Sequence, residues 1–377
     1  MTTAGTVTAG TVTAGVATEA TLAEGTLTEG ILTEETLTDT TASTSASPRV
    51  SPEKAEFAFI VASYNGARYL SRCARSIREK VGEGRYVLVV MDDASTDADV
   101  GEALERLRRR EDTVVRVNPR NQGFSRNMNG GISLVLQGFP QVKYLVLLNQ
   151  DTQLLTDITA DALRALGERG GICGPRLLNA DGSVQNSFYE FPTPGKRLAQ
   201  LAGLRRAGNL ARRLLSAGLV KAPRRTKHSA SPCLMRLLSA GLVKAPLPPF
   251  ARTYLKNFLP PGDVLEVPWL CGACLVVSRE VFTDVGLLDE GFQMYGEDMD
   301  LCRRAGAAGW RILHFPEGRV VHHGNVDHLR LSRQSLSTYH ASMERFYEKH
   351  FTGWRRRLLL LLNRAEEWKI LARQGRR

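Results

Sequence analysis

No stretch of this 377-residue chain approaches the roughly 18 consecutive apolar residues that cross a bilayer. The longest candidate, Leu358 to Leu362, follows directly on Arg355, Arg356 and Arg357. The N-terminus also lacks a basic stretch followed by an apolar run, so no secretory signal is expected and the chain reads as cytoplasmic. Cysteine is sparse: six residues, at 73, 173, 233, 271, 274 and 302, are scattered over a chain too large to need stapling. Free thiols in a reducing compartment are expected. Only Cys271 and Cys274 form a C-x-x-C. It has no second ligand pair for zinc, and it lies in a strand-and-turn sequence rather than at a helix start, so packing is the expected role. No Gly-x-Gly-x-x-Gly follows the first strand and no Gly-x-x-x-x-Gly-Lys-Ser/Thr occurs, which disfavours a dinucleotide dehydrogenase and a P-loop phosphotransferase.

Acidic residues are missing from Lys196 to Lys256, where fourteen Lys or Arg fall, and Lys and Arg are missing before Arg49. The net charge of +11 is therefore localised: Gly353 to Arg377 carries eight more basic residues against Glu366 and Glu367, and the rest of the chain is net acidic. Localised charge suits an anionic surface. In both basic segments Arg and Lys interleave with Leu, Ala, Val or Trp, as in helices that lie on a membrane surface or, for the first segment, on the protein's own surface. No recognised nucleic-acid module accompanies the charge, and the acidic remainder argues against nucleic acid.

Residues 6 to 40 form drifting pentads with one apolar residue in five, a period that matches neither helix nor strand. With no aromatic residue and a Ser/Thr/Ala run ending at Pro48, residues 1–54 read as a disordered leader. From Phe57 the pattern alternates. Strands are expected at Phe57–Ala62, Tyr86–Met91, Val114–Val117 and Tyr144–Leu148. Helices between them carry Leu70, Cys73, Ala74 and Ile77, then Val100, Leu104 and Leu107, then Met128, Ile132 and Leu136. Such alternation predicts an α/β fold with a mainly parallel central sheet and flanking helices, binding its ligands beyond the carboxyl ends of the strands. The catalytic domain is expected over 55–350, with a basic insertion at about 195–262 and a separate basic amphipathic tail at 351–377. Within the insertion an eleven-residue segment, 213 to 223, repeats unchanged at 236 to 246; two copies read as a local duplication.

Each expected strand end carries a polar cluster: Ser63-Tyr64-Asn65-Gly66, Asp92-Asp93-Ala94-Ser95-Thr96-Asp97, Asn121-Gln122-Gly123-Phe124 and Asn149-Gln150-Asp151. In this order they resemble the family 2 glycosyltransferases of GT-A fold. Asp181-Gly182-Ser183-Val184-Gln185, Trp269-Leu270-Cys271-Gly272-Ala273, Gly286-Leu287-Leu288-Asp289-Glu290, Gly296-Glu297-Asp298-Met299-Asp300 and Val320-Val321-His322-His323 add the rhamnosyltransferase-like branch. The resemblance spans about residues 57 to 325 apart from the basic insertion.

What the resemblance implies is a nucleoside-diphosphate-sugar donor and a divalent metal, Mg or Mn. Asp93, with Asp92 beside it, stands where the family reads the base, with Tyr64 and Asn65 on the same side and Tyr64 able to stack on the ring. Asn121, Gly123 and Asn129 are expected to shape the nucleotide pocket, glycine allowing close backbone approach. Asn149-Gln150-Asp151 occupies the Asp-x-Asp position with Asn first; Asp151 is the expected metal ligand, joined by His322 or its neighbour His323. Asp298 is the expected catalytic base for inverting transfer. Asp300, two residues on, faces elsewhere and suits a surface pair with Arg303 or Arg304. The implied acceptor is lipid-linked or glycan, in cell-surface polysaccharide synthesis at the inner membrane face. Galactofuranose or N-acetylhexosamine stand as alternative donor sugars. A non-catalytic nucleotide-sugar module or a nucleic-acid-binding protein is the alternative from another class.

Overall fold

The computed structural model describes residues 55–201, 257, 262–324 and 332–374, all within one compact unit, Ser47–Arg377. The expected leader, the duplicated segments and most of the basic insertion lie outside the described residues.

The first four strands are β1 (Phe57–Ser63), β2 (Tyr86–Asp92), β3 (Thr113–Val117) and β4 (Tyr144–Asn149), separated by α1 (Ala67–Val81), α2 (Val100–Arg108) and α3 (Phe124–Gly138). There follow β5 (Thr152–Leu154), α4 (Ile158–Leu166), β6 (Ile172–Leu178), β7 (Phe188–Tyr189) and α5 (Pro194–Leu201). Past the insertion come β8 (Leu265–Glu266), β9 (Trp269–Leu270), β10 (Cys274–Ser278), α6 (Arg279–Val285), α7 (Glu297–Ala307), β11 (Ile312–His322), α8 (Arg333–His350) and α9 (Gly353–Gln374).

The main sheet runs β3-β2-β1-β4-β10-β6-β11-β5, with β8 also on β11. β1, β2, β3 and β4 pair in parallel. β10 is inserted antiparallel between β4 and β6, a crossing that local periodicity does not signal. Side chains of β1 alternate between the faces. Phe57, Phe59 and Val61 join a core under α1, α2 and α4, whereas Ala58, Ile60 and Ala62 join one under α3, α6 and α7. The sheet is thus buried on both faces, as a parallel α/β sheet requires. Ladder register sets Ser63 opposite Asp92 and Ala62 opposite Asn149, so the polar strand ends share one edge.

A third apolar cluster joins Phe292 and Met299 to Met343, Phe346 and Tyr347 of α8 and Leu359 of α9. The stretch expected as a separate tail is therefore a helix docked on the catalytic unit. Its Leu359, Asn363 and Glu366 are buried, and Arg197 on α5 pairs with Glu366 at 2.6 Å. Five leucines and a charged run suggest an interfacial helix locally; the partner that buries one side of it comes from α5 and α8.

Asp300 also departs from expectation. It is fully buried, accepting from Arg304 Nε at 2.7 Å and lying 2.6 Å from His350 Nε2 and 2.9 Å from Lys349 Nζ. Burial opposes its ionisation, but the His350, Lys349 and Arg304 contacts outweigh that and hold the carboxyl below its usual range. Arg303 lies instead over the rings of Phe191, Phe346 and Phe351. Asp300 joins α7 to the α8 terminus, so Asp300→Ala should cost about 3 kcal/mol, since it removes the one buried carboxylate that Arg304, Lys349 and His350 share. Chemical denaturation measures this, and a loss under 1 kcal/mol on that scale would return the residue to a surface role.

Candidate active site

The strand ends converge as expected, but they divide the work differently. After β1, Asn65 takes a positive φ of 46°. Its N–H donates to Ser95 Oγ at 2.9 Å, and its side-chain oxygen accepts from Thr96 N at 2.7 Å. Asn65 therefore ties the β1 loop to the β2 loop. Asp92 caps its own turn, accepting from Ser95 N and Ser95 Oγ. Asp93 is buried and accepts from Asn118 Nδ2 at 2.8 Å, Gln122 N at 2.9 Å and Gly123 N at 2.9 Å. Its carboxylate holds the 118–123 segment in place. Tyr64, by contrast, is exposed beside this edge.

Two residues expected at the nucleotide pocket are engaged by the chain itself. Asn129 is buried and spent on the loop before α7: its amide donates to Leu288 O at 2.8 Å and its oxygen accepts from Leu288 N at 3.0 Å. Gly123, at φ 87°, does allow close approach, but to the chain itself. A Cβ there would stand 3.3 Å from Gln293 O, the oxygen that accepts from Phe124 N. Asn121 accepts from Gly123 N at 3.1 Å and otherwise stays exposed.

At the end of β4, Gln150 clamps the β1 loop, accepting from Ser63 Oγ and donating to Tyr64 O. Asn149 presents a buried Oδ1 without a partner among the described residues. The Asp151 carboxylate faces His322 across 3.5 Å, Oδ1 to Nε2. The protonation of that ring follows from its neighbours. Gln185 Nε2 lies 3.0 Å from Asn179 Oδ1 and 3.4 Å from Gly324 O, both acceptors, so its Oε1 faces His322 Nδ1 at 2.8 Å. Nδ1 must then carry the proton, leaving the Nε2 lone pair aimed at Asp151. Burial pushes the imidazole below its usual value against the pull of Asp151, so the ring is neutral at pH 7. Two electron-rich atoms thus face each other, and a Cβ on Gly324 would stand 2.7 Å from Nε2 and 2.8 Å from Asp151 Oδ2. Only glycine leaves that space open. A neutral His with its other nitrogen held, opposite a carboxylate, has the chemistry of a divalent-cation site. Two such side chains make an open site rather than a protein cage, and among the described residues no group of three or more His, Cys, Asp or Glu could hold a metal.

Gln185 and the 271–273 turn are what sequence reasoning missed. Gln185 sits in a recognised motif, but its role becomes visible only with β11 beside it. Gln185→Leu, which keeps volume and removes the acceptor, should weaken Mn binding about 10- to 100-fold. Titration of the protein with Mn alone reads this directly, and an unchanged affinity would mean that Gln185 does not orient the ring.

Asp298 opens α7, half-buried, with Oδ2 accepting from Gly272 N at 2.7 Å and Oδ1 from Met299 N at 2.7 Å. A Cβ on Gly272 would stand 3.0 Å from the Asp298 side chain, so glycine lets the turn after β9 close on the acid. That turn also reaches the metal side, because Asn149 N donates to Ala273 O at 3.1 Å. Cys271 between them feels the carboxylates of both Asp298 and Asp151. Burial pushes Asp298 up to about 6, against the pull of the Gly272 and Met299 N–H groups. Burial, and then the neighbouring Asp298 charge, push Glu297 to about 8. Among the described residues Glu297 Oε2 and Trp269 Nε1 are buried without partners, a cost of about 1–3 kcal/mol each that is expected where a ligand completes the bonding. Cys271 and Cys274 are unpaired, one in the turn and one on β10.

The Glycosyl transferase family 2 model matches residues 58–212, and that of Glycosyl transferase family group 2 matches 258–361. An N-acetylglucosaminyl-diphospho-decaprenol L-rhamnosyltransferase of Mycobacterium tuberculosis is 37% identical over 106 residues, 28% of this chain and 34% of that protein. Rhamnosyltransferase WbbL of Escherichia coli is 36% identical over 61 residues, 16% and 23% respectively. The matches thus span about a third or less of these relatives. Among solved structures, GalNAc-T7 with UDP, GalNAc and Mn2+ aligns with a TM-score of 0.49 at 14% identity, over 79% of this chain and 52% of that one. A mannosyltransferase of Pyrobaculum calidifontis in complex with GDP-Man and Mn2+ aligns at 0.47 and 14%, over 84% and 70%.

Proposed function

Since the chain belongs to glycosyl transferase family 2, with its mainly parallel GT-A sheet, we infer that it transfers a sugar from a nucleoside-diphosphate donor to an acceptor hydroxyl with inversion. The observation that carries this reading is the separation of roles along one sheet edge. A cation-ready pair, Asp151 and His322, lies on one side of the 271–273 turn, and a half-buried carboxylate of raised proton affinity, Asp298, lies on the other.

In this reading the nucleotide lies along the β1 and β2 loops, where Tyr64 offers an exposed ring face and Asn121 an exposed amide. Asp92, Asp93 and Asn65 build the walls that position it. Asp151 and His322 would hold a divalent cation, Mg or Mn. When bound, such an ion neutralises charge developing on the departing diphosphate. Asp298 takes the proton of the acceptor hydroxyl as its oxygen bonds to the anomeric carbon and the bond from that carbon to the diphosphate oxygen breaks. The carboxylate must be ionised to do so, and a pKa near 6 keeps it ionised at neutral pH while its proton affinity stays well above that of a solvated Asp.

The names of the rhamnosyltransferase relatives support rhamnose as the donor sugar and a lipid-linked acceptor; we assign the transfer, to a lipid-linked or glycan acceptor, to cell-surface polysaccharide synthesis at the inner face of the cell membrane. Incubation with a panel of nucleotide sugars plus Mn tests the donor. Hydrolysis of a deoxyhexose donor in preference to the others supports this reading, and preference for a galactofuranose or N-acetylhexosamine donor overturns it.

A further inference from the structure

We propose that the outward face of α9 is a docking surface for an anionic bilayer. This deepens the reading of a lipid-linked acceptor by naming the part of the fold that holds the enzyme at its substrate.

The helix has two unlike sides. Leu359, Leu362, Asn363, Glu366 and Ile370 are buried against the protein. On the opposite side Trp354, Leu361 and Trp368 are 66%, 64% and 74% exposed. Those three recur every seventh residue, two turns of helix, so they form one stripe about 20 Å long at 1.5 Å per residue. Most large apolar side chains of the fold are inside, and two tryptophans in register on an exposed face are a cost in water. Tryptophan prefers the boundary between headgroups and acyl chains, and a stripe of this length lies flat in that layer rather than crossing it. No helix among the described residues is long and apolar enough to cross.

Charge selects the partner. Arg355, Arg356 and Arg357 are exposed on the first turn, where Arg355 lies 5.7 Å from the centre of the Trp354 ring. Among the described residues none of the three has a carboxylate partner. The face is also fixed in place. Asn363 Nδ2 donates to His340 O at 2.9 Å, its oxygen accepts from His340 Nδ1 at 2.8 Å, and Glu366 pairs with Arg197. With that buried network intact, α9 cannot turn its tryptophans inward. Lys369 Nζ donates to Leu201 O at 2.8 Å, so the end of α5 is a further tie between α9 and the fold.

The test uses the full chain and phosphatidylcholine vesicles of increasing phosphatidylglycerol content. Sedimentation of the wild-type protein should rise with the phosphatidylglycerol fraction. The triple variant Trp354→Ser, Leu361→Ser, Trp368→Ser should bind at least about tenfold less at every composition. Arg355→Gln, Arg356→Gln, Arg357→Gln should lose most of the response to anionic lipid, since each engaged cation contributes about fivefold. All substituted side chains are exposed, so melting temperature and donor hydrolysis in solution should be unchanged; loss of hydrolysis in the wild type would instead overturn the transferase reading alone. The proposal is overturned if the wild type ignores anionic vesicles or if the apolar triple variant binds them equally well. A wild-type dimer that the apolar variant abolishes, without vesicle binding, would overturn it in favour of a second copy of this chain.

Discussion

Asp298→Asn should leave nucleotide binding nearly intact and lower turnover by roughly 100-fold or more, because only the transition state needs the proton accepted. The substitution keeps shape and one acceptor oxygen, so the contact with Gly272 N, which holds the turn beside the site, survives in part. In the wild type, turnover should fall as pH drops through about 6, the value to which burial raises this acid. The sign is that of a base: protonation below the pKa removes the lone pair that attacks the hydroxyl proton. Asn at 298 should abolish that acid limb together with the rate. For stability the sign is reversed. A carboxyl whose folded pKa lies above its unfolded value favours folding below that unfolded value, and the advantage is lost as pH rises through about 6. Asp298→Asn should therefore raise the melting temperature at neutral pH while it lowers turnover. Equal losses of donor affinity and turnover would make Asp298 a structural acid. An unchanged acid limb would place the titrating base elsewhere.

Periodicity located β1 to β4 and the helices between them because each buries a continuous or evenly spaced apolar set, a local signal. The placement of β10 between β4 and β6 depends on pairing between residues more than a hundred positions apart, and nothing in Cys274–Ser278 alone encodes it. The site shows the same division. Asp151, His322 and Asp298 were legible as a family pattern, and all three stand at the one sheet edge. Motif position points Asn129 and Gly123 to the nucleotide pocket but is silent on their own neighbours, Leu288 and Gln293, which only the folded loop before α7 brings within reach. Gln150 and Gln185 escape sequence reasoning for the converse reason: a glutamine gives no chemical signal until its amide is seen clamping a loop or fixing a ring. Asp300 looked like a surface partner for an i+4 arginine, and the Arg304 contact is indeed there, but α8 arrives from 50 residues away to bury the pair. Local rules found the bond and missed its environment, which decides its worth.

The same environment governs the second large effect. Asp151→Ala should remove Mn binding and nearly all transfer together, because the open site offers few ligands and this is its carboxylate. Hard divalent cations are held chiefly by charged oxygens, and His322 alone, neutral and buried, cannot replace one. The expected loss of turnover is on the order of 1,000-fold, as for removal of a group that meets charge developing on the leaving diphosphate. Binding of Mn to the protein without donor, followed by spectroscopy or calorimetry, should fall below detection, and this reads the site independently of catalysis. His322→Ala should give the weaker form of the same result, since the carboxylate remains. The variant also removes the partner that faces His322 Nε2 at 3.5 Å. If the pair were only a structural contact, the loss of Asp151 would lower thermal stability and leave Mn affinity unchanged. Full transfer by the wild type in chelator would overturn the metal reading altogether, and the facing lone pairs of Asp151 and His322 would then be explained by a proton held between them.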